Sequence, residues 1–238
     1  MAVPILVFHR VTDSPTPLLR EYAVSPASFR RQMRALRLAG WRTATVGELV
    51  EARRGQRPIP RRTVAITFDD AYAELEQEAL PVLARNGQTA TIYACPGLLG
   101  APSDLVLGGG GVHEDAALMD AAALRRADAA GFAVESHSST HPRLTSLDDA
   151  RLAAEVAGSR SALAEVLGRE VRHFAYPFGN YDDRVVAAVA AAGYQSAVTT
   201  DHGAMADHDL LRVPRVYVSW GVGAVRLVAR VGRRAGEG

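Results

Sequence analysis

Residues 63–70 have the sequence TVAITFDD, an apolar and β-branched run that ends on two adjacent aspartates. Such a run predicts a buried strand that reaches Phe68. Asp69 and Asp70 then lie side by side at the strand end, and neighbouring like charges raise each other's pKa. A bound divalent cation would offset this cost. The alternative is a helix N-cap with an acidic first turn, which needs no ligand.

The strand at 63–68 is one of several that alternate with helices. Strands are predicted at 3–8, 64–68, 89–94, 132–135, 171–175, 195–199 and 211–218. Helices are predicted from Ser25 to Gly40, from Thr45 to Gly55, at 74–86 with a kink or a restart at Pro81, at 116–130, from a cap at Ser146 to 167, at 182–192, and in the tail from Gly223. This alternation predicts an α/β fold with a parallel sheet and helical crossovers. A closed barrel and an open, doubly wound sheet both fit it.

Polar residues with useful chemistry follow the predicted strands. They are His9, Asp69, Asp70, His137, His141 and Pro177. In α/β folds, sites assemble at the carboxyl ends of the strands. Because six loops would converge on one mouth, the pattern favours a barrel.

Length and composition set further bounds. The chain has 238 residues, 48% of them hydrophobic, which fits one large domain. Its net charge of +1 gives no sign of a nucleic acid or an anionic membrane as partner. Cys95 is the only cysteine, so no disulfide forms within the chain, and its apolar surroundings predict a buried thiol.

No stretch reaches the roughly 18 apolar residues of a membrane span. Residues 1–8 are apolar but lack a basic segment and a cleavage site, so they predict a first strand rather than a signal peptide. We therefore expect a cytoplasmic location, although a secreted form with its leader already removed fits as well.

His137 and His141 are spaced at i and i+4. On a helical turn two such imidazoles share one face and can hold a single ion. Two histidines and one carboxylate are a common ligand set for a catalytic divalent metal. One of the two aspartates could then be a ligand while the other takes a proton from water. The alternative is that both histidines are ordinary polar loop residues before Pro142.

Residues 174–180, FAYPFGN, run from a strand into a turn of aromatic, proline, aromatic and glycine residues. This segment is either a packed turn or a groove wall. In a groove wall, a backbone N–H could point at developing negative charge.

Together, TFDD at 67–70, His137-x-x-x-His141-Pro142 and YPFG at 176–179 resemble the polysaccharide deacetylase family. This family carries the NodB homology domain and is also called carbohydrate esterase family 4. The resemblance covers residues 3–218 and implies a distorted (β/α) barrel of about seven parallel strands, with 1–238 as one catalytic domain. It also implies a divalent metal, usually Zn²⁺ with Co²⁺ or Ni²⁺ possible. The implied activity is removal of N-acetyl groups from an amino sugar or polysaccharide by water that the metal activates.

The same resemblance implies a role for each matching residue. Asp69 resembles the catalytic base, and Asp70, His137 and His141 resemble the metal ligands. The backbone N–H of Phe178 resembles the donor that stabilises the tetrahedral oxyanion.

The chain departs from the family pattern in two places. Many members carry an arginine before the Pro-aromatic-Gly turn, but Ala175 stands here, as in the branch similar to poly-N-acetylglucosamine deacetylases. Arg215 is a candidate to hold Asp69 instead, or else forms a structural or surface salt bridge. The usual histidine near the C-terminus is also missing. Circularly permuted members have this strand at the front, which makes His9 the candidate general acid unless it is only a strand-end histidine.

Two other functions remain open from the sequence. A deformylase or amidase acting on another substrate could use the same metal site. A non-catalytic carbohydrate-binding barrel would explain the altered arginine position. The glycine run 108–111 lacks the order of a phosphate-binding loop and predicts a mobile rim beside the site. The sequence leaves the oligomeric state open.

Overall fold

The computed structural model describes residues 2–107, 116–205 and 209–236 of the chain. The glycine run 108–111 lies outside these residues. In chain order, the strands are β1 (Ile5–Phe8), β2 (Arg10–Val11), β3 (Ala23–Val24), β4 (Arg42–Ala44), β5 (Thr63–Phe68), β6 (Thr91–Ala94), β7 (Ala133–Ser136), β8 (His173–Ala175), β9 (Ser196–His202) and β10 (Val213–Tyr217).

The helices surround the strands. They are α1 (Pro26–Leu38), α2 (Val46–Arg53), α3 (Leu75–Glu78), α4 (Leu80–Arg85), α5 (Ala121–Ala129), α6 (Asp149–Leu167), α7 (Asp183–Ala191) and α8 (Ala224–Ala235). Short 3₁₀ turns lie at Pro17–Tyr22, Pro96–Leu98, Ser103–Leu107, Leu144–Ser146 and Pro177–Gly179. Over the described residues, no helix combines the length and apolar character needed to cross a bilayer.

Seven parallel strands close into a barrel. Their order is β1-β10-β9-β8-β7-β6-β5, and β5 pairs back onto β1. The first strand therefore closes the ring, with Leu6 opposite both Ile66 and Val216. β4 adds to the outside of β5, and β2 and β3 form a separate pair. The predicted barrel of seven parallel strands is confirmed, and the open sheet is excluded.

Side chains alternate between the barrel interior and the surrounding helices. Ala65 belongs to an inner cluster with Ile5, whereas Ile66 and Phe68 belong to the outer core beneath the helices. Because strand side chains alternate with period two, this phase directs Thr67, and Asp69 just beyond it, to the inner side. α2 closes the opposite end of the barrel, where its apolar residues join the inner cluster. Asp69 thus lies at the open end.

The predicted interruption of the helix at 74–86 is confirmed: it forms two helices, α3 and α4, because Pro81 cannot continue the hydrogen-bond pattern. Two other predicted helix starts were wrong. The helix expected from 116 begins only at Ala121, where Asp120 accepts a hydrogen bond from the Ala123 N–H. The long helix α6 is capped by Asp148, not by Ser146, whose hydroxyl donates to the Arg143 carbonyl instead. In both cases a nearby aspartate is the N-cap.

An ion pair lies inside the barrel between β5 and β10. Arg215 is 1% exposed and donates from Nη1 to Asp69 Oδ1 and from Nη2 to Asp69 Oδ2, each at 2.7 Å. Its remaining donors reach Thr67 Oγ1 at 3.0 Å and the Thr199 carbonyl at 2.8 Å. The pair therefore joins three strands, and its charges are satisfied without water.

We expect Arg215→Met to lower the free energy of unfolding of the metal-free protein by about 3–5 kcal/mol, because Asp69 is left buried and unpaired. Adding Asp69→Asn should recover part of the loss, since no buried charge then remains. Urea denaturation of the two single variants and the double variant measures this. Losses that simply add would show that the two side chains do not act as a pair.

Candidate metal centre and catalytic cavity

A cavity of about 530 Å³ opens at the carboxyl ends of the barrel strands. Among its lining residues are His9, Asp69, Asp70, His137, His141 and Phe178. The structure thus brings together residues that are far apart in the sequence. Arg215 lies beneath them, inside the barrel, in contact with Asp69.

Asp70, His137 and His141 form a buried cluster of potential metal ligands. Asp70 Oδ1 lies 3.5 Å from His137 Nε2 and 3.4 Å from His141 Nε2. Ligand bonds of about 2.0–2.1 Å in a tetrahedral site separate ligand atoms by about 3.4 Å. Asp70 Oδ1 is also buried without a hydrogen-bond partner among the described residues. These three residues therefore fit a small divalent cation, whose identity the geometry leaves open.

The loop after β7 brings the two histidines together without a helical turn. Ser138 and His141 have φ values of 63° and 60°, and the Ser138 hydroxyl accepts a hydrogen bond from the His141 N–H at 3.0 Å. The predicted shared helix face was therefore wrong, although the two rings do meet. His137 Nδ1 lies 2.9 Å from the Ala175 carbonyl, which can only accept a hydrogen bond, so Nδ1 carries the N–H and donates. That contact leaves Nε2 as the nitrogen free to bind a metal.

Burial shifts the pKa of each residue in the cluster towards its neutral form. Burial, followed by the charge of Asp69, raises the pKa of Asp70 well above its ordinary value. Burial also lowers the pKa of His137 and that of His141. A cation at the centre would favour an ionised carboxylate and neutral imidazoles, which is the ligand set it needs.

Asp69 has a different environment from its neighbour. Burial acts to raise its pKa, but the charge and hydrogen bonds of Arg215 outweigh burial and hold the pKa below its ordinary value. Asp69 is therefore ionised at neutral pH. The guanidinium that is missing from the position of Ala175 is supplied from β10, and the contact is buried rather than at the surface.

His9 lies at the end of β1 between two tyrosine rings. Its ring centroid is 5.3 Å from that of Tyr22 and 5.7 Å from that of Tyr217. Burial lowers the pKa of His9 to about 4, so the imidazole is neutral at pH 7. The two aromatic rings fix its position at the cavity.

Phe178 lines the same cavity and lies in the 3₁₀ turn Pro177–Gly179. Its backbone has φ 57°, and its ring lies 4.4 Å from the His141 ring and 4.7 Å from the Arg143 guanidinium. Gly179 has φ 62°, and a Cβ there would overlap the Thr200 hydroxyl. Only glycine fits this close approach, so the turn is held against β9.

Sequence reasoning missed several residues that line the cavity, and two of these are tyrosines beside His9. Tyr22 and Tyr217 line the cavity, and the Tyr217 hydroxyl is buried without a partner among the described residues. Tyr217 is the last residue of β10 and lies within the strand predicted at 211–218, which is the only signal that pointed to it. Cys95 is buried as predicted and also donates from Sγ to the His137 carbonyl at 3.0 Å.

The amino-acid sequence is similar to those of known proteins. A sequence model of the family described as polysaccharide deacetylase matches residues 56–197. YxkH of Bacillus subtilis, whose name places it among polysaccharide deacetylases, is 27% identical over 221 residues, which cover 92% of this chain and 72% of YxkH. The poly-β-1,6-N-acetyl-D-glucosamine N-deacetylase of Escherichia coli K12 is 32% identical over 76 residues, 32% of this chain and 11% of that protein.

The fold also matches a solved structure. The deacetylase PplD of Streptococcus pyogenes, in complex with acetate, superposes with a TM-score of 0.83 and 22% identity, covering 96% of this chain and 97% of PplD. At this identity the likeness concerns the fold alone. The family match, however, spans more than half of the chain, from 56 to 197. With its closed barrel and its buried Asp-His-His cluster, the chain belongs to the polysaccharide deacetylase family.

Proposed function

We propose that this protein is a metal-dependent N-deacetylase that hydrolyses the acetamido group of an amino sugar. The observation that carries the proposal is that one cavity holds two neighbouring carboxylates with different partners. Asp70 lies in a cluster that fits a divalent cation, and Asp69, its neighbour, is ionised and anchored by Arg215. A base beside a ligand set is the arrangement that amide hydrolysis requires.

Asp70, His137 and His141 would hold the cation. When bound, a divalent cation makes water more acidic and polarises a carbonyl oxygen. Asp69 accepts the proton of the attacking water. Its lowered pKa makes it a weak base, so it depends on water of increased acidity. Arg215 keeps the carboxylate in one orientation, because it holds both oxygens.

The wall of the cavity receives the carbonyl of the substrate. The backbone N–H of Phe178 is the donor that would stabilise negative charge on the carbonyl oxygen. The positive φ of Phe178 and the close contact of Gly179 with Thr200 fix this turn before substrate arrives. A donor fixed in advance needs no reorganisation during the reaction.

His9 would protonate the departing nitrogen. It is neutral in the resting protein, so it must gain a proton during turnover, and the proton that Asp69 removes from the attacking water balances this need. Negative charge that develops on the carbonyl oxygen would favour the protonated ring. The neighbouring Tyr22 and Tyr217 rings keep the imidazole at the cavity.

An acetylated amino sugar is the substrate class that fits best. The cavity is open to solvent and has the aromatic rings of Tyr22, Phe178 and Tyr217 in its walls. The similarity of a 76-residue stretch to a poly-β-1,6-N-acetyl-D-glucosamine N-deacetylase supports the same class. We therefore propose Zn²⁺, with Co²⁺ or Ni²⁺ as alternatives, as the cation and N-acetylglucosamine oligomers as the probe.

Removal of the metal should abolish activity. We expect a chelator to stop acetate release from N-acetylglucosamine oligomers and Zn²⁺, Co²⁺ or Ni²⁺ to restore it, because the three ligands supply most of the coordination. His137→Ala should contain less than a tenth of the wild-type metal by elemental analysis. If acetate is not released, formate release from an N-formyl amino sugar or ammonia release from a primary amide would redirect the proposal to a deformylase or amidase, and full activity without metal would refute it.

Asp69→Asn should lose turnover and keep the metal. Without the base, kcat should fall by about 10²–10⁴-fold, the usual contribution of one proton-transfer group. Metal content, measured on the same samples, should match wild type because Asp69 is not in the ligand cluster. Loss of metal together with activity would mean that Asp69 is a ligand rather than a base.

His9→Gln should slow the reaction without affecting the metal. We expect kcat to fall by about 10²-fold or more if protonation of the nitrogen limits the rate. The defect should be smaller on an ester analogue, because an alkoxide leaves without prior protonation more readily than an amine. An equal defect on amide and ester would assign His9 to substrate binding instead.

A further inference from the structure

Three neighbouring helices on the outside of the barrel carry arginines and no acidic residue. α1 packs against both α8 and α4. The sequences of these helices contain no aspartate, glutamate or lysine. We call the surface formed by their arginines the arginine face: Arg30, Arg31, Arg34, Arg37, Arg85, Arg226, Arg230, Arg233 and Arg234.

Most of the charge of this face is not neutralised by ion pairs among the described residues. Several exposed arginines elsewhere pair with carboxylates, as Arg126 does with Glu76 at 2.7 Å and Arg212 with Asp183 at 2.6 Å. Of the nine arginines on the face, all but Arg234 lack an ion pair with any residue in the described part of the chain.

Three of these arginines donate side-chain hydrogen bonds to neutral acceptors. Arg31 donates to the Ser28 hydroxyl, Arg37 donates to the Asn86 amide oxygen, and Arg230 donates to the Tyr217 carbonyl. Neutral acceptors hold a guanidinium in place without cancelling its charge. The positive charge therefore remains available to an outside partner.

The net charge of the chain conceals this separation. The protein has 27 basic and 26 acidic residues, so its formal charge is only +1. Nine of the 27 lie on the three helices of the arginine face, whose own sequences contain no acidic residue. This face is therefore basic although the chain as a whole is nearly neutral, and its charge favours an anionic partner.

Two exposed apolar side chains belong to the same pair of helices. Val225, in the first turn of α8, is 85% exposed, and Leu38, at the end of α1, is 68% exposed. Basic helices with protruding apolar residues favour the surface of a bilayer, where lipid headgroups meet the charges and the apolar side chains enter the interface. A soluble polyanion would gain nothing from them.

We propose that the arginine face docks the protein on a bilayer surface rich in anionic phospholipid. Tyr22, shortly before α1, and Tyr217, shortly before α8, both line the catalytic cavity. The docked helices therefore begin beside the mouth of the barrel. Docking would hold the cavity next to the headgroups and so favour substrates presented at a membrane.

Vesicle sedimentation tests this proposal. The full chain should bind vesicles of phosphatidylcholine mixed with phosphatidylglycerol at low salt and should not bind phosphatidylcholine alone. High salt should release it, because exposed charges are screened. Substitution of Arg30, Arg34, Arg226 and Arg233 by Gln should lower the partition coefficient by more than about a hundredfold, since each surface charge contributes about fivefold.

A matched variant with four Gln substitutions controls for net charge. It replaces Arg151, Arg172, Arg184 and Arg212, which are ion-paired and lie outside the three helices of the arginine face. We expect it to bind vesicles like wild type, and circular dichroism should show both variants folded. Equal loss in the two variants, or wild-type binding to a soluble polyanion but not to anionic vesicles, would overturn the proposal.

Activity on soluble N-acetylglucosamine oligomers gives an independent readout. Neither set of four arginines lies in the catalytic cavity, so both variants should retain wild-type turnover on this substrate. Failure of docking with turnover intact would remove this proposal and leave the proposed deacetylase activity standing. Vesicle binding without any turnover of the wild-type protein would keep the docking surface and remove the proposed deacetylase activity.

Discussion

The ion pair between Arg215 and Asp69 is the interaction on which the catalytic end of the barrel depends. Both partners are buried, so each would be costly without the other. Arg215 uses both ends of its guanidinium on the carboxylate and its other donors on β5 and β9. The pair thus fixes three strands relative to one another and keeps Asp69 ionised. The different state of Asp70, one residue further on, follows from its lack of such a partner.

Unusual backbone conformations are concentrated around this pair. Among the described residues, six that are not glycine have positive φ, and all but Arg62 belong to the loops of the cavity. They are Asp70, Ala71, Ser138, His141 and Phe178. Each such conformation costs roughly 1–3 kcal/mol, and the surrounding packing must compensate for it. The barrel therefore supports a set of strained loops that direct ligand atoms inward.

The sequence predicted much of this arrangement for identifiable reasons. The strand periodicity and the positions of polar residues after the strands predicted the barrel and its mouth. Helix caps were predicted well where one candidate stood alone, as at Ser25 and Thr45. The prediction of a cap at Ser146 was wrong because Asp148, two residues further on, takes the same role. The contact of Arg215 with Asp69 stayed one of two possibilities, since it depends on which face of β10 turns inward. The arginine face was missed because it arises only when three separate helices pack together.

The position of β1 in the ring affects how the chain reaches its final structure. Leu6 pairs with Val216, so the ring closes only when segments from nearly opposite ends of the chain meet. Contacts of such long sequence separation form slowly, and the edges of β1 and β9 stay unpaired until β10 arrives. Asp70, His137 and His141 all precede β10, whereas Arg215 lies on it. During synthesis the ligand cluster can therefore form before Asp69 acquires its partner. The arrival of β10 thus completes both the barrel and the base.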